Sequence, residues 1–317
     1  MTKKAWKCLV IDEMHPDLFP VLKQNGIETD YQPHIAPSVV GEALAGIQIL
    51  VVRSKVKVNR ELLRHAPDLK LVARAGAGVD NIDEEALREK GITMVNAPEG
   101  NRDAVGEHTI GMLLCLLNHL HTADRQVRDK VWKREANRGT ELGGKTVGII
   151  GFGNMGQAFA KRLSGFGCTI MAYDKYHADF SNAFASCCTM EQIWQQADIV
   201  SVHVPLTPGT YHLINQNWIQ KFRKEIILIN TSRGEVADTA ALVANLKSKK
   251  LKGLALDVLE NEKLNQLTKE QEQAFDYLAS QPNVVFSPHV AGWSHESYAR
   301  ISLVLGTKIL EYCNNSL

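Results

Sequence analysis

Arg233 in "INTSRGE", Glu262 in "LALDVLENE" and His289 in "FSPHVAG" each follow a short apolar run of the kind that forms a strand. A guanidinium can hold a carboxylate-bearing substrate, an imidazole can move a proton near neutral pH, and a carboxylate can hold that imidazole in place. Asp257, in the second stretch, adds another carboxylate. Residues that end strands of an open α/β sheet converge on one crevice. Taken singly, each also fits a quieter role. Arg233 suits a solvated turn, His289 a buried site satisfied by backbone, and Glu262 a polar loop. Spacing alone does not choose.

The stretch "GIIGFGNMG" (148–156) is more specific, because its context matches a mechanism. A strand-like run ends at Gly151, and helix-like sequence follows Gly153 up to about Phe166. In a dinucleotide-binding turn Gly151 makes the tight turn, Gly153 lets the backbone approach a pyrophosphate, and Gly156 lets helix and strand pack closely. The helix start offers free N–H groups and the positive end of the dipole to phosphate. Asp174 stands 18 residues beyond Gly156, at the end of the next apolar run "TIMAYD". A carboxylate there accepts from the adenosine ribose hydroxyls and repels a 2′-phosphate, so NAD is expected over NADP. A turn residue after a strand is the bland alternative for Asp174 alone. The three glycines tip the balance toward the dinucleotide.

The elements that must carry these residues alternate. Apolar runs at 7–12, 49–53 and 69–75 read as strands, with a helical pattern at 59–65 capped by Asn59. Apolar spacing predicts a longer helix over 103–120. A second strand–helix series follows, with strands expected at 145–150, 169–174, 198–204, 226–230, 253–258 and 283–289. The polar stretch 261–276 reads as a surface loop plus a short helix. Such alternation implies parallel sheets covered on both faces. The glycine motif arrives almost halfway along the chain, so the residues before 103 form a domain of their own. The simplest layout places a dinucleotide domain, 103–289, inside a first domain, 1–102, that the last helix completes within 290–317. Active sites in such proteins lie in the cleft between domains.

Bulk properties exclude several classes. The 317 residues carry 36 Lys+Arg against 35 Asp+Glu, so nucleic acid and anionic membranes are not expected partners. Six cysteines form no CxxC pair, and the adjacent Cys187 and Cys188 suit a disulfide badly, which points to reduced thiols in the cytoplasm. The N-terminus lacks a signal-peptide apolar run, and Ile110–Leu117 is too short to span a bilayer. His119 and His121 have no third ligand at a recognisable spacing, so no metal is expected.

Several motifs in fixed order resemble the D-isomer-specific 2-hydroxyacid dehydrogenase family over almost the whole chain. They are "VRSKVKV" (52–58), "LKLVARAGAGVDNID" (69–83), "VNAPEGN" (95–101), "ELGGKTVGIIGFGNMG" (141–156), "HVPLTPGT" (203–210), "LINTSRGEVAD" (228–238), "ALDV" (255–258) and "PHVAG" (288–292). The resemblance implies an α/β fold in which a Rossmann NAD-binding domain is inserted into a flavodoxin-like substrate domain. It also implies a homodimer through the 103–135 region, acting on a small 2-hydroxy or 2-oxo acid. Arg233 would bind substrate, His289 would act as acid/base and Glu262 would orient it. Asp257 would lie near the nicotinamide amide. Asn154, Met155, His203, Pro205 and Thr231 would join the glycines and Asp174 in the cofactor site. For His203 a packing role at a strand end is an equal alternative.

Within the family, "VRS", "RAGAGVDNID", "EGN" and "WKREANRGTELGGKT" look most like D-3-phosphoglycerate dehydrogenases. By that likeness Arg53 and Ser54 meet a distal phosphate, the N–H groups of Ala77, Gly78 and Val79 meet the carboxylate, and Asn101 lines the pocket. An arginine at a strand end suits phosphate, and it equally suits solvent. Three positions depart from the pattern: Val56 replaces a frequent Thr, Lys263 replaces the usual Pro after Glu262, and Arg102 replaces a small residue. The first and third leave the substrate open, and Lys263 is expected to loosen the loop carrying Glu262. With 25 residues after Gly292, no appended regulatory domain is expected. Two alternatives stand beside the phosphoglycerate reading: a glyoxylate/hydroxypyruvate reductase, and an NADH-sensing protein resembling transcriptional corepressors. The retained Arg233, Glu262 and His289 favour catalysis.

Overall fold

A computed structural model describes residues 6–177, 179–180 and 182–315. The chain divides into two compact units, Met1–Arg102 with Trp293–Leu317, and Asp103–Gly292.

The first unit is built on β1 (Lys7–Val10), β2 (Glu28–Tyr31), β3 (Ile49–Val52), β4 (Leu71–Arg74) and β5 (Thr93–Asn96), all parallel in the order β2-β1-β3-β4-β5. This is the flavodoxin-like order, which reverses between β1 and β3. The four residues of β3 are all buried because successive side chains enter opposite, covered faces. On one face Cys8, Val10, Val51, Leu71 and Ala73 pack with Ile301, Leu305 and Ile309 of the last helix, His295–Asn315. On the other, Leu9, Leu50, Val52 and Val72 pack with Val40, Leu44, Leu63 and Leu87. The helix Arg60–Arg64 starts at Asn59, whose side chain accepts the Leu62 N–H at 3.1 Å.

The second unit holds β6 (Thr146–Ile150), β7 (Thr169–Tyr173), β8 (Ser186–Cys187), β9 (Ile199–Val202), β10 (Ile226–Asn230), β11 (Leu251–Leu256) and β12 (Val284–Phe286). They form one parallel sheet in the order β12-β11-β10-β9-β6-β7-β8. The order reverses between β6 and β9, the doubly wound arrangement of Rossmann domains. One face packs Val200, Val202, Leu228, Leu254 and Leu256 with Trp218, Phe222 and Leu242. The other packs Val147, Ile149, Ile199 and Ile229 with Met112, Leu113, Phe159 and Leu163.

The helix expected over 103–120 is displaced. It runs Pro98–Leu117, with proline at its first position, where the missing N–H costs nothing. His119, at φ 52°, then turns the backbone left-handed, and a separate helix runs Leu120–Arg128. The polar stretch after Asn261 forms a helix at Lys269–Ala279, started by a reciprocal Thr268–Gln271 cap. Among the described residues no helix is long and apolar enough to cross a membrane.

Candidate active site

At the β6 end the chain turns through Gly151 into the helix Asn154–Leu163, whose first turn includes Met155 and Gly156. A Cβ on Gly156 would collide with the Gly151 carbonyl oxygen, so only glycine lets this helix approach the turn. Nothing lies within 4 Å of where a Cβ on Gly153 would stand. The N–H groups of Gly153, Met155 and Gly156 meet no acceptor among the described residues. Asp174 Oδ2 accepts the Phe152 N–H at 2.8 Å, while Oδ1 accepts the N–H groups of Tyr176 and His177. Its carboxylate is thereby fixed against the glycine turn. Free donors above an open glycine, with a carboxylate beside them, fit the pyrophosphate and ribose of a dinucleotide.

The ends of β9 to β12 supply the remaining groups. His203, after β9, shares a 2.9 Å hydrogen bond between Nε2 and Ser201 Oγ, and its ring lies 5.5 Å from that of Phe159. Burial pushes its pKa down to about 4, so the ring is neutral. Its Nδ1 is buried without a partner among the described residues. Pro205, two residues on, is exposed and its carbonyl accepts from Thr210 Oγ. Thr231 Oγ lies 3.3 Å from Thr109 Oγ. Arg233 follows; its Nη1 donates to the Ser232 carbonyl, and the Asn230 side-chain amide donates to the Arg233 carbonyl.

His289 and Glu262 meet directly, with Nδ1 2.8 Å from Oε1 and 3.1 Å from Oε2. The hydrogen bond that Glu262 accepts from the imidazole raises the His289 pKa; partial burial and the Arg233 charge oppose that rise, and Asp257 adds to it. Lys263, expected to loosen this loop, does not move Glu262 off the histidine. His289 itself adopts φ 54°, which is strained for a non-glycine residue.

Asp257 explains how that conformation is held. The residue is 2% exposed, and its Oδ1 accepts from Ser287 Oγ–H at 2.5 Å and the Val290 N–H at 2.9 Å. Its Oδ2 accepts the Ala291 N–H at 2.9 Å, and its carbonyl accepts the His289 N–H at 2.7 Å. Every acceptor of this residue is thus turned toward the loop that carries His289. Sequence reading missed the supporting pair, Ser287 and His108, whose Nε2 lies 2.8 Å from Ser287 Oγ. Because Ser287 donates to Asp257, His108 must donate to Ser287, which places a proton on Nε2. His108 reads in the sequence as one more position on a helix face.

In the first unit, Arg53 and Ser54 follow β3 where the strand order reverses. Their N–H groups donate to the buried Asp12 carboxylate at 2.8 and 3.5 Å. The Arg53 guanidinium lies 3.8 Å from the Trp293 ring centre and makes no hydrogen bond among the described residues. Burial lowers its pKa, while Asp12, Tyr298 and Glu13 act to raise it. The N–H groups of Ala77, Gly78 and Val79 likewise meet no acceptor among the described residues. Successive free N–H groups in a turn make an anion-binding concavity. Asn101 Oδ1 is buried and unpartnered in the same sense. Trp293 is a site neighbour that carried no signal in the sequence.

Residues 110–291 match the family model described as D-isomer specific 2-hydroxyacid dehydrogenase, NAD binding domain. The D-3-phosphoglycerate dehydrogenase of Methanocaldococcus jannaschii is 34% identical over 98% of this chain, which spans only 58% of that protein's length. The hydroxypyruvate reductase of Thermotoga maritima is 35% identical over 88% of this chain and 89% of its own. The D-lactate dehydrogenase of Aquifex aeolicus, solved with NAD and lactic acid, superposes with a TM-score of 0.82 at 25% identity, covering 98% of this chain and 96% of that one.

Two measurements test the geometry. Followed by NMR, the His289 imidazole should titrate above the ordinary ~6.5, and Glu262→Gln should bring it down, since burial and Arg233 remain to oppose protonation. Identical titrations in both proteins would remove Glu262 as its partner. By calorimetry, Asp174→Ala should weaken NAD binding by about 1–3 kcal/mol and narrow the preference over NADP. A wild type that already prefers NADP would overturn that assignment.

Proposed function

The chain belongs to the D-isomer-specific 2-hydroxyacid dehydrogenase family, and on that footing we propose that it moves a hydride between NAD and C2 of a small 2-hydroxy or 2-oxo acid. The observation that carries the reading is the Glu262–His289 pair at 2.8 Å, held in the unit that also presents Arg233 and the glycine turn. NAD, when bound, supplies the hydride donor or acceptor. In the reductive direction, protonated His289 donates to the oxygen at C2 as its negative charge develops, and neutral His289 takes the proton back in oxidation. Arg233 attracts the substrate carboxylate and polarises the adjacent carbonyl. Glu262 holds the imidazole and favours its cationic form. Gly151, Gly153, Asn154, Met155, Gly156 and Asp174 would hold the dinucleotide, with His203, Pro205 and Thr231 beside it. Asp257 acts mainly by shaping the His289 loop.

For the substrate we favour D-3-phosphoglycerate and its 2-oxo partner, 3-phosphohydroxypyruvate. The support lies at Arg53: a partly buried guanidinium with its face on Trp293 and no acceptor on its edge among the described residues suits a phosphate. The free N–H groups of Ala77, Gly78 and Val79 suit the carboxylate, and Asn101 and Ser54 would complete the pocket. Hydroxypyruvate is the second reading, because Asp12 and Glu13 offset part of the Arg53 charge and the Thermotoga maritima relative is named a hydroxypyruvate reductase.

A homodimer is proposed through the 103–135 region. Leu120, Val127, Val131 and Trp132 are all exposed there, Trp132 to 83%. The six cysteines are all free, which suits a reducing cytoplasm.

A screen of NADH oxidation with 3-phosphohydroxypyruvate, hydroxypyruvate, glyoxylate and pyruvate tests the substrate assignment. Arg53→Ala should raise KM for the phosphorylated acid roughly tenfold or more, as loss of a charge-assisted hydrogen bond implies, with little change for hydroxypyruvate. Equal effects on both would make Arg53 structural and the substrate a different one. Sedimentation should give a dimer that Trp132→Glu weakens; a monomeric wild type would end that proposal.

A further inference from the structure

The Glu262–His289 pair is more exposed than its role suggests, with side chains 47% and 44% accessible. Such pairs are worth little alone, about 0–1 kcal/mol, because two flexible side chains must be ordered to form them. A pair that persists at 2.8 Å therefore needs a backbone that presents Glu262 in place. The segment 257–263 shows how it is held.

Upstream of Glu262 the segment is clamped twice. It passes so close to Gly234 that a Cβ there would collide with the Leu259 carbonyl, which fixes it against the residue next to Arg233. Glu260 then turns the other way: its Oε2 accepts the Thr239 N–H at 3.1 Å and Oγ–H at 2.7 Å, and its Oε1 lies 2.8 Å from His212 Nε2. Burial pushes the Glu260 carboxyl up, but these donors outweigh it and hold the pKa below the usual carboxylate value. Glu260 is thus committed elsewhere and does not compete for His289.

Immediately around Glu262 the tie on the N–H side is the Asn261 side chain, while the Lys263 carbonyl accepts the Gln266 N–H at 2.8 Å. Asn261 Oδ1 accepts the Lys263 N–H at 3.0 Å, closing a turn that straddles Glu262. Asn261 Nδ2 donates at 3.0 Å to Gln271 Oε1, which also accepts the Thr268 N–H that starts the helix Lys269–Ala279. Lys263 has φ −88°, near the roughly −65° that a prolyl ring enforces. Lysine keeps the N–H that the Asn261 turn consumes, whereas proline, which the resemblance leads one to expect here, would fix φ by its ring. A φ close to that range is held here by another device.

We propose that Asn261 is a positioning residue, whose side-chain turn onto the Lys263 N–H holds the Glu262 carboxylate on His289. The inference rests on the reading of His289 as the proton carrier. The charged groups facing His289 are Glu262, Asp257 and Arg233, with burial opposing its charge. If the turn opens, Glu262 spends less time on the imidazole while Asp257 and Arg233 stay in place, so the His289 pKa falls.

The test uses the full chain with NADH and the best oxo acid from the screen, alongside NMR titration of His289. Asn261→Ala should lower reductive kcat/KM by roughly 3- to 10-fold above neutral pH, the scale of one ordinary hydrogen bond. It should also move the alkaline fall of kcat/KM, and the His289 titration, to lower pH while leaving NADH affinity unchanged. Adding Lys263→Pro to Asn261→Ala should restore both profiles by fixing φ without the turn. An Asn261→Ala protein whose profiles overlay wild type, or one that Lys263→Pro fails to rescue, would overturn the inference. His289→Ala separates the two levels. If it kept activity, the proton-carrier reading would fall first; if it were dead while Asn261→Ala behaved as wild type, only the positioning role would fall.

Discussion

Asp257 carries more of this site than any residue that would touch a substrate. A carboxylate with almost no exposure is costly unless donors surround it. Here the donors come from Ser287, Val290 and Ala291, on both sides of His289. The carboxylate therefore cannot be satisfied without drawing that loop into one shape, and that shape places His289 at φ 54°. A strained backbone angle persists only where its surroundings over-determine it. Three side-chain bonds and the backbone bond from His289 to the Asp257 carbonyl do so. His108, through Ser287, extends the same network into the helix Pro98–Leu117.

The sheet makes this possible. In a parallel sheet all strands end on the same edge, so β9 to β12 deliver Ser201 and His203, Thr231 and Arg233, Asp257, and Ser287 and His289 within one unit. The register pairs Asn230 with Leu256 and Leu256 with Phe286, so the residues just past these strands start level with one another. Chemistry spread over nearly ninety residues of sequence becomes local because the strands stop together. The loops then differ only in how each is tied: by Asn230 at Arg233, by Asp257 at His289, by Glu260 and Asn261 at Glu262.

Legibility followed burial. β1, β3, β4 and β6 stood out as continuous apolar runs because both of their faces are covered. β2, with sequence ETDY, and β5, with TMVN, are edge strands with little or no full burial, and their polar composition hid them. The same holds for the two-residue β8. The glycine turn and Asp174 were readable because their spacing encodes a backbone requirement. Arg233, Glu262 and His289 became readable only as motifs, since the contact between Glu262 and His289 spans 27 residues. The supports were the least legible part. His108 sits at a helical spacing that any packed residue could occupy, and Asn261 lies in a stretch that reads as plain polar loop.

Two imidazoles in the second unit show how surroundings divide roles that sequence leaves equal. His203 and His289 both follow a strand, and both occur in motifs of the same resemblance. His203 has no carboxylate partner among the described residues; burial acts on it, and its pKa falls to about 4. His289 is burdened by partial burial and by Arg233, yet the Glu262 hydrogen bond outweighs both and lifts its pKa above the ordinary value. Near neutral pH, then, His203 stays neutral, while the cationic form of His289 is favoured, as the proposed proton carrier requires. Environments that push two like groups apart suit only one of them to the proposed acid/base work. Here that proposal depends on a carboxylate with no other hydrogen-bonding duty among the described residues, and Glu260, two residues away and fully engaged by Thr239 and His212, could not have served.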